Sequence, residues 1–80
     1  MTNTSVLTDP AALTPVHWSA RLAAFLARGR SNDDPDVISC REALSFWRMR
    51  RTLDAERGHL HPDHIPALAD LLRHAHRMPS

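Results

Sequence analysis

Two kinds of helix signal divide the chain into segments, and they constrain its fold more than any other feature. Thr14-Pro15 and Asp34-Pro35 each place a capping side chain before a proline. Proline suits the first turn of a helix, because the N–H that it lacks has no helical partner there. Gly29 and Gly58 each follow a periodic apolar segment, and glycine commonly ends a helix in the left-handed conformation. The predicted helices span about residues 15–28 and 35–57.

A third helix is predicted towards the end of the sequence. Pro66 cannot donate a helical hydrogen bond, so it has to lie within the first turn. With Asp63 as the N-cap, Pro66 occupies the third helical position. The helix then spans about residues 64–77 and ends before Pro79.

The predicted fold class is all-α. No segment alternates as a strand does, β-branched residues are scarce and tyrosine is absent. For a chain of 80 residues and 9.0 kDa, surface scaling allows about 63% of the unfolded surface to be buried, which supports one thin core. We therefore predict a small three-helix domain (a bundle) over residues 14–78. A flexible, disordered N-terminal segment, residues 1–13, precedes it, and Asp9–Leu13 within that segment is compatible with one helical turn.

Apolar residues occupy two sides of the predicted second helix, whereas the other two helices carry one apolar stripe each. The first side of the second helix consists of Val37, Cys40, Ala43, Leu44 and Trp47; the second consists of Ile38, Phe46, Met49 and Leu53. The single stripes are Trp18, Leu22, Phe25 and Leu26 in the first helix, and Ile65, Leu68, Leu72 and Ala75 in the third. Two arrangements are open: both sides are covered within the monomer, or one side binds a protein partner, including a second copy in a homodimer. The candidate protein-interaction residues are Ile38, Phe46, Trp47, Met49, Leu53 and Trp18.

Arginines concentrate on the second helix and suggest an alternative function. Arginine with neighbouring hydroxyls is a common contact set for phosphate. The formal net charge is only +1, and neighbouring carboxylates are spaced to pair with these arginines, so a solvated, self-paired face is the other interpretation. The candidate nucleic-acid-binding residues are Arg41, Arg48, Arg50 and Arg51.

Six histidines in 80 residues raise the question of a metal site. Asp70 and His74 are four residues apart on one predicted helix face, which is a workable two-ligand spacing. Two histidines that are two residues apart on a helix point in different directions, however, and no cysteine joins the cluster. Histidines at a solvated helix end are therefore the other interpretation. The candidate metal ligands are His61, His64, Asp70 and His74.

Motifs for catalysis are absent from the sequence. It contains no glycine-rich phosphate loop, no nucleophile elbow and no paired-histidine metalloprotease motif. We therefore predict no catalytic residue, no enzymatic activity and no cofactor.

Compartment and source are predicted from the same composition. A single cysteine, Cys40, cannot form an intramolecular disulfide, and neither a signal peptide nor a membrane span is recognisable. These features predict a cytoplasmic protein that does not enter a membrane. All ten basic residues are arginine, whose codons are GC-rich, so a high-GC bacterium or its phage is the expected source. The predicted function is that of a small non-catalytic adaptor or regulator acting through protein–protein interaction, with nucleic-acid binding as the alternative.

Overall fold

Three α-helices make up most of the protein. The computed structural model describes residues 9–76, and within that range it contains helices and turns but no strand. The helices are α1 (Pro15–Ala27), α2 (Pro35–Ala55) and α3 (Ile65–Arg73). Single 3₁₀ turns, Pro10–Ala12 and Pro62–His64, precede α1 and α3. The predicted all-α, three-helix fold class is confirmed.

The first two helices begin and end by the signals read from the sequence. The Thr14 hydroxyl accepts a hydrogen bond from the His17 N–H at 3.5 Å, and the Asp34 carboxylate accepts one from the Asp36 N–H at 2.8 Å. Gly29 and Gly58 have φ angles of +84° and +86°. These left-handed residues stop α1 and α2, which end one and two residues earlier than predicted.

The third helix is shorter than predicted, and its start differs. Asp63 does not cap it: the Asp63 N–H donates instead to Nδ1 of His61 at 3.0 Å, because Pro62 begins a separate 3₁₀ turn. At the other end, Nδ1 of His74 lies 2.9 Å from the carbonyl oxygen of Asp70 and caps the last turn. The helix therefore ends at Arg73 rather than near residue 77, and residue 77 lies outside the described range.

The core lies between α1 and α2. Its fully buried side chains are Trp18, Val37, Cys40 and Ala43. The half-buried residues packed against it are Leu13, Leu22, Phe25, Leu44 and Trp47. The first apolar side of the second helix therefore faces α1, as its spacing predicts.

The N-terminal 3₁₀ turn belongs to this core, which corrects the predicted boundary at residue 14. The carbonyl oxygen of Pro10 accepts hydrogen bonds from Nε1 of Trp18 and Nε1 of Trp47, both at 2.8 Å. Both indole N–H groups need an acceptor once their rings are removed from water, and one backbone carbonyl serves the two. Asp9–Leu13 is thus a fixed part of the domain with the single turn that its sequence allows, while residues 1–8 lie outside the described range.

Helix α3 contributes nothing to that core among the described residues. None of its nine residues is buried, and no Cα atom of α3 comes within 8 Å of a Cα atom of α1 or α2. The side chains predicted as its inner stripe are exposed: Ile65, Leu68, Leu72 and Ala75. The α3 segment lies beside the second half of α2 across an open groove instead of packing into it.

Candidate protein-interaction face

One continuous surface collects most of the exposed large apolar side chains. On α2 it consists of Phe46, Met49 and Leu53, which are 39%, 50% and 52% exposed. On the segment that carries α3 it consists of Leu60, Ile65, Leu68, Leu71 and Leu72. We call these eight residues the apolar face.

The apolar face contains two adjoining grooves. The groove between the end of α2 and α3 has a volume of about 430 Å³ and a lining of Met, Leu, Ile and Ala side chains. Its neighbour, of about 750 Å³, extends past Phe46 to a polar edge that includes Glu42, Ser45 and Arg50. Met49, Leu53 and Leu72 line both grooves, so the two form one concave surface.

Helical periodicity places these side chains together. Phe46, Met49 and Leu53 stand at positions i, i+3 and i+7 of α2, and therefore on one side of that helix. Leu68, Leu71 and Leu72 stand at i, i+3 and i+4 of α3. The structure orients both stripes towards the same open grooves.

Two ion pairs adjoin residues of the apolar face in the sequence. Arg57 donates to the Asp54 carboxylate at 2.9 Å near the end of α2, and Arg73 lies 3.6 Å from the Asp70 carboxylate on α3. These exposed pairs contribute little to stability. The charges within each pair compensate each other.

The predicted interaction residues separate into two groups. Phe46, Met49 and Leu53 lie together on the apolar face, whereas Ile38 is half-buried and lines a different groove beside Asn32 and Arg41. A helical wheel puts Ile38 on the same side of α2 as these three residues. Ile38 lies near the start of α2, however, where its neighbours are different.

The two tryptophans do not belong to the exposed face. Trp18 is only 2% exposed and lies in the core, so its prediction as an interaction residue is corrected. Trp47 is half-buried, with its N–H bound to Pro10 and its ring in edge-to-face contact with Phe46 at 5.8 Å. The Trp47 ring therefore packs against Phe46 at the edge of the apolar face.

Sequence reasoning missed the α3 half of the face. The spacing of Ile65, Leu68 and Leu72 fits a buried stripe, so the sequence predicts that they face the inside of the domain. An amphipathic stripe has the same spacing whether it meets its own chain or a partner. The one sequence signal for exposure is the small number of turns left between Pro66 and the end of the apolar stripe.

The candidate nucleic-acid residues are divided by the structure. Arg48, Arg50 and Arg51 line a shallow groove of about 470 Å³ together with Asp54. Arg41 lies elsewhere and donates to Oδ1 of Asn32 at 3.1 Å.

Two of the three arginines in this groove also have partners within the chain. Arg48 donates to the Ser45 hydroxyl at 3.2 Å, and the Arg50 guanidinium lies over the Trp47 ring at 5.1 Å. The hydroxyl of Thr52, which the helical spacing places beside Arg48, donates to the Arg48 carbonyl oxygen at 3.1 Å. The arginine-and-hydroxyl set is thus engaged in contacts along α2.

The candidate metal ligands form two separate pairs. The rings of His61 and His64 are 5.0 Å apart, and Nδ1 of His74 lies 3.9 Å from an Asp70 carboxylate oxygen. Across residues 9–76 no three His, Cys, Asp or Glu side chains are grouped as a metal ion requires. Nδ1 of His61 is also occupied by the Asp63 N–H.

Three groups in the core and at the start of α2 have shifted pKa values. Burial raises the pKa of the Cys40 thiol, while nearby Arg21 opposes the rise. Partial desolvation raises the pKa of the Asp34 carboxyl. Hydrogen bonds from the Asp36 N–H and from Arg30 outweigh this effect and hold the pKa below its ordinary value. In return, Asp36 and Asp34 raise the pKa of Arg30. These groups fix the start of α2.

Comparison of the chain with protein-family models, curated proteins and solved structures gives no match. Within residues 9–76, no helix has both the length and the apolar character that crossing a bilayer requires.

Proposed function

We propose that this chain is a small, non-catalytic adaptor or regulatory protein that acts by binding a protein partner through the apolar face. The observation that carries the proposal is the exposure of eight large apolar side chains on one concave surface. At roughly 150 Å² for each side chain, the lower end of the range for aromatic rings, exposed fractions of about one half amount to roughly 600 Å². The largest apolar patch of a soluble monomer is typically about 300–600 Å².

The shape and polarity of the surface support a helical ligand. A helix that binds in a groove inserts side chains at i, i+3, i+4 and i+7 into an apolar trough with a polar rim. The two grooves between α2 and α3 provide the trough. Glu42, Ser45 and Arg50 provide the polar rim on the side of α2. The hydrogen-bonded core of α1 and α2 provides a fixed support for it.

The site of this activity, on our proposal, is the cytoplasm. The single cysteine is buried and unpaired in the structure, which suits a reducing compartment. No step of the proposed function requires a cofactor.

Nucleic-acid binding is the second candidate. Its support is the grouping of Arg48, Arg50 and Arg51 along one groove. Against it, that groove includes the Asp54 carboxylate, Arg50 lies over Trp47, and the net charge is +1. The apolar face therefore ranks first.

The proposal is tested by comparing capture of proteins from the native cytoplasm by three immobilised forms. Wild type is expected to retain a defined partner, and Leu72→Glu is expected to lose it because a carboxylate would enter the apolar trough. Val16→Glu is the matched control: Val16 is apolar and 75% exposed, but it lies on α1 outside the face. Equal capture by wild type and Leu72→Glu would refute the proposal.

A further inference from the structure

We propose that the partner of the apolar face is the same face of a second copy, with α3 of each protomer seated in the groove of the other. This inference rests on the proposed function and deepens it by naming the occupant. Three features of the chain carry it: the area of the face, its self-complementary shape and the unpacked third helix.

The exposed area matches what a stable dimer needs. The apolar face offers roughly 600 Å² per chain, taking roughly 150 Å² for each side chain, the lower end of the range for aromatic rings, and the observed exposed fractions. A standard specific interface buries about 600–1,000 Å² on each partner. A smaller ligand would leave much of the face in water.

Both halves of a helix-in-groove contact are present on one chain. Leu68, Leu71 and Leu72 form a ridge on α3, while Met49 and Leu53 form the wall of the groove beside it. A two-fold axis places the ridge of each copy against the wall of the other, so every contact occurs twice. The result is a four-helix arrangement built from α2 and α3 of two chains.

The charges of the face do not oppose this pairing. Asp54 with Arg57, and Asp70 with Arg73, are paired within one chain, so each chain already compensates these charges. A net charge of +1 adds little repulsion, because molecules near zero net charge associate readily.

The short third helix gives the same answer from its own stability. Helices below about 12–15 residues are marginal in water unless an apolar face is packed. Helix α3 has nine residues, none of them buried. Seating it on a second copy supplies the packing that its own α1 and α2 do not provide.

Sedimentation equilibrium of the purified full chain from low to high micromolar concentration tests the occupant. We expect a mass near twice 9.0 kDa, with Leu53→Glu and Leu72→Glu each raising the dissociation constant by about 30-fold or more, as central apolar anchors do. Both positions are more than half exposed in the single chain, so the variants are expected to keep the helical circular dichroism of α1 and α2. Val16→Glu is expected to dimerise as wild type does.

Disulfide trapping tests the geometry of exchange. Chains with Leu53→Cys and chains with Leu72→Cys, carrying different tags, are mixed and oxidised; the wild-type mixture, whose Cys40 is buried, is the control. A disulfide between the two chain types supports reciprocal seating. Dilute Leu53→Cys/Leu72→Cys chains that form only an internal disulfide would show that α3 closes on its own α2, which overturns the proposal.

Different results would contradict the second copy and the proposed function. A monomeric wild type at several hundred micromolar overturns the second copy as occupant. If Leu72→Glu then still abolishes capture of another protein while Val16→Glu does not, the proposed function stands with a different partner. If Leu72→Glu changes neither mass nor capture, both are wrong.

Discussion

At the scale of single residues, the carbonyl oxygen of Pro10 joins parts of the chain that are distant in sequence. It accepts the indole N–H groups of Trp18 on α1 and Trp47 on α2, each at 2.8 Å. A buried polar group left without a partner costs more than a satisfied hydrogen bond contributes. The first residues of the described chain thereby hold both helices of the core.

A double-mutant cycle on the two tryptophans measures this junction. Trp18→Phe and Trp47→Phe each remove one donor but leave Pro10 with the other. We expect each loss of a hydrogen bond to lower the free energy of unfolding by about 1 kcal/mol, with an added packing cost at the buried Trp18. The double variant is expected to lose more than the sum, because the carbonyl is then unsatisfied. Urea unfolding followed by circular dichroism gives the coupling, and simple additivity would contradict the shared acceptor.

The start of α2 depends on one carboxylate. Asp34 caps the helix through the Asp36 N–H at 2.8 Å and accepts Arg30 at 3.1 Å. These contacts favour the charged form and hold the pKa of Asp34 below its ordinary value.

The pH dependence of Asp34→Asn follows from that direction. A carboxyl whose pKa is depressed by folding contributes stability that is present above the unfolded pKa of about 3.9 and is lost as the pH falls through the lower folded value. We expect wild type to melt at a higher temperature than Asp34→Asn at pH 7, with the difference narrowing below about pH 4. A difference that stays constant between pH 7 and pH 3 would show that Asp34 acts only as a neutral cap.

At the scale of elements, two glycines decide where the long helices stop. Gly29 has a φ of +84°, and the N–H of Arg30 returns to the carbonyl oxygen of Phe25 at 3.1 Å. This six-to-one hydrogen bond is the mark of a Schellman ending. The chain then turns towards the start of α2.

Substitution of Gly29 measures the free-energy cost of its left-handed backbone conformation. A Cβ atom at Gly29 meets nothing within 4 Å, so Gly29→Ala introduces no clash and its cost is the left-handed conformation, about 1–2 kcal/mol. Gly29→Asn is expected to cost less, since asparagine tolerates this region better. Thermal unfolding of the two variants checks the order. Equal stability of Gly29→Ala and wild type would mean that the turn rearranges.

For the whole molecule, the arginine groove and the apolar face predict different effects of salt on binding affinity. Each phosphate neutralised on duplex DNA contributes about −0.9 to the slope of log affinity against log salt. Three arginines in one groove therefore give a shallow slope, with a magnitude of about 3 at most. Association through the apolar face is expected to be nearly independent of moderate salt.

Fluorescence anisotropy with a labelled DNA duplex distinguishes these responses. We expect weak binding that disappears near physiological salt, and a dimer mass that persists there. Arg48→Ala combined with Arg51→Ala is expected to leave that mass unchanged. Tight, sequence-selective DNA binding at physiological salt that this double variant abolishes would move nucleic-acid recognition to first place.

The helix boundaries of α1 and α2 follow from short-range signals in the sequence. Capping residues, N-terminal prolines and the glycines at 29 and 58 act over four or five residues, and the structure places α1 and α2 where those signals lie. The periodicity of 3.6 residues likewise determined that Phe46, Met49 and Leu53 share one side of α2. These properties are written in short-range hydrogen bonds and side-chain geometry.

Which apolar stripes are covered depends on how the helices pack in three dimensions. The stripe of Trp18 and the stripe of Leu68 look alike in sequence, yet the first is buried against α2 and the second is exposed on α3. The position of Pro10 between two indoles was equally invisible, because its partners lie 8 and 37 residues away. Coverage depends on which distant surfaces meet after the chain has folded, and no spacing within one helix records that.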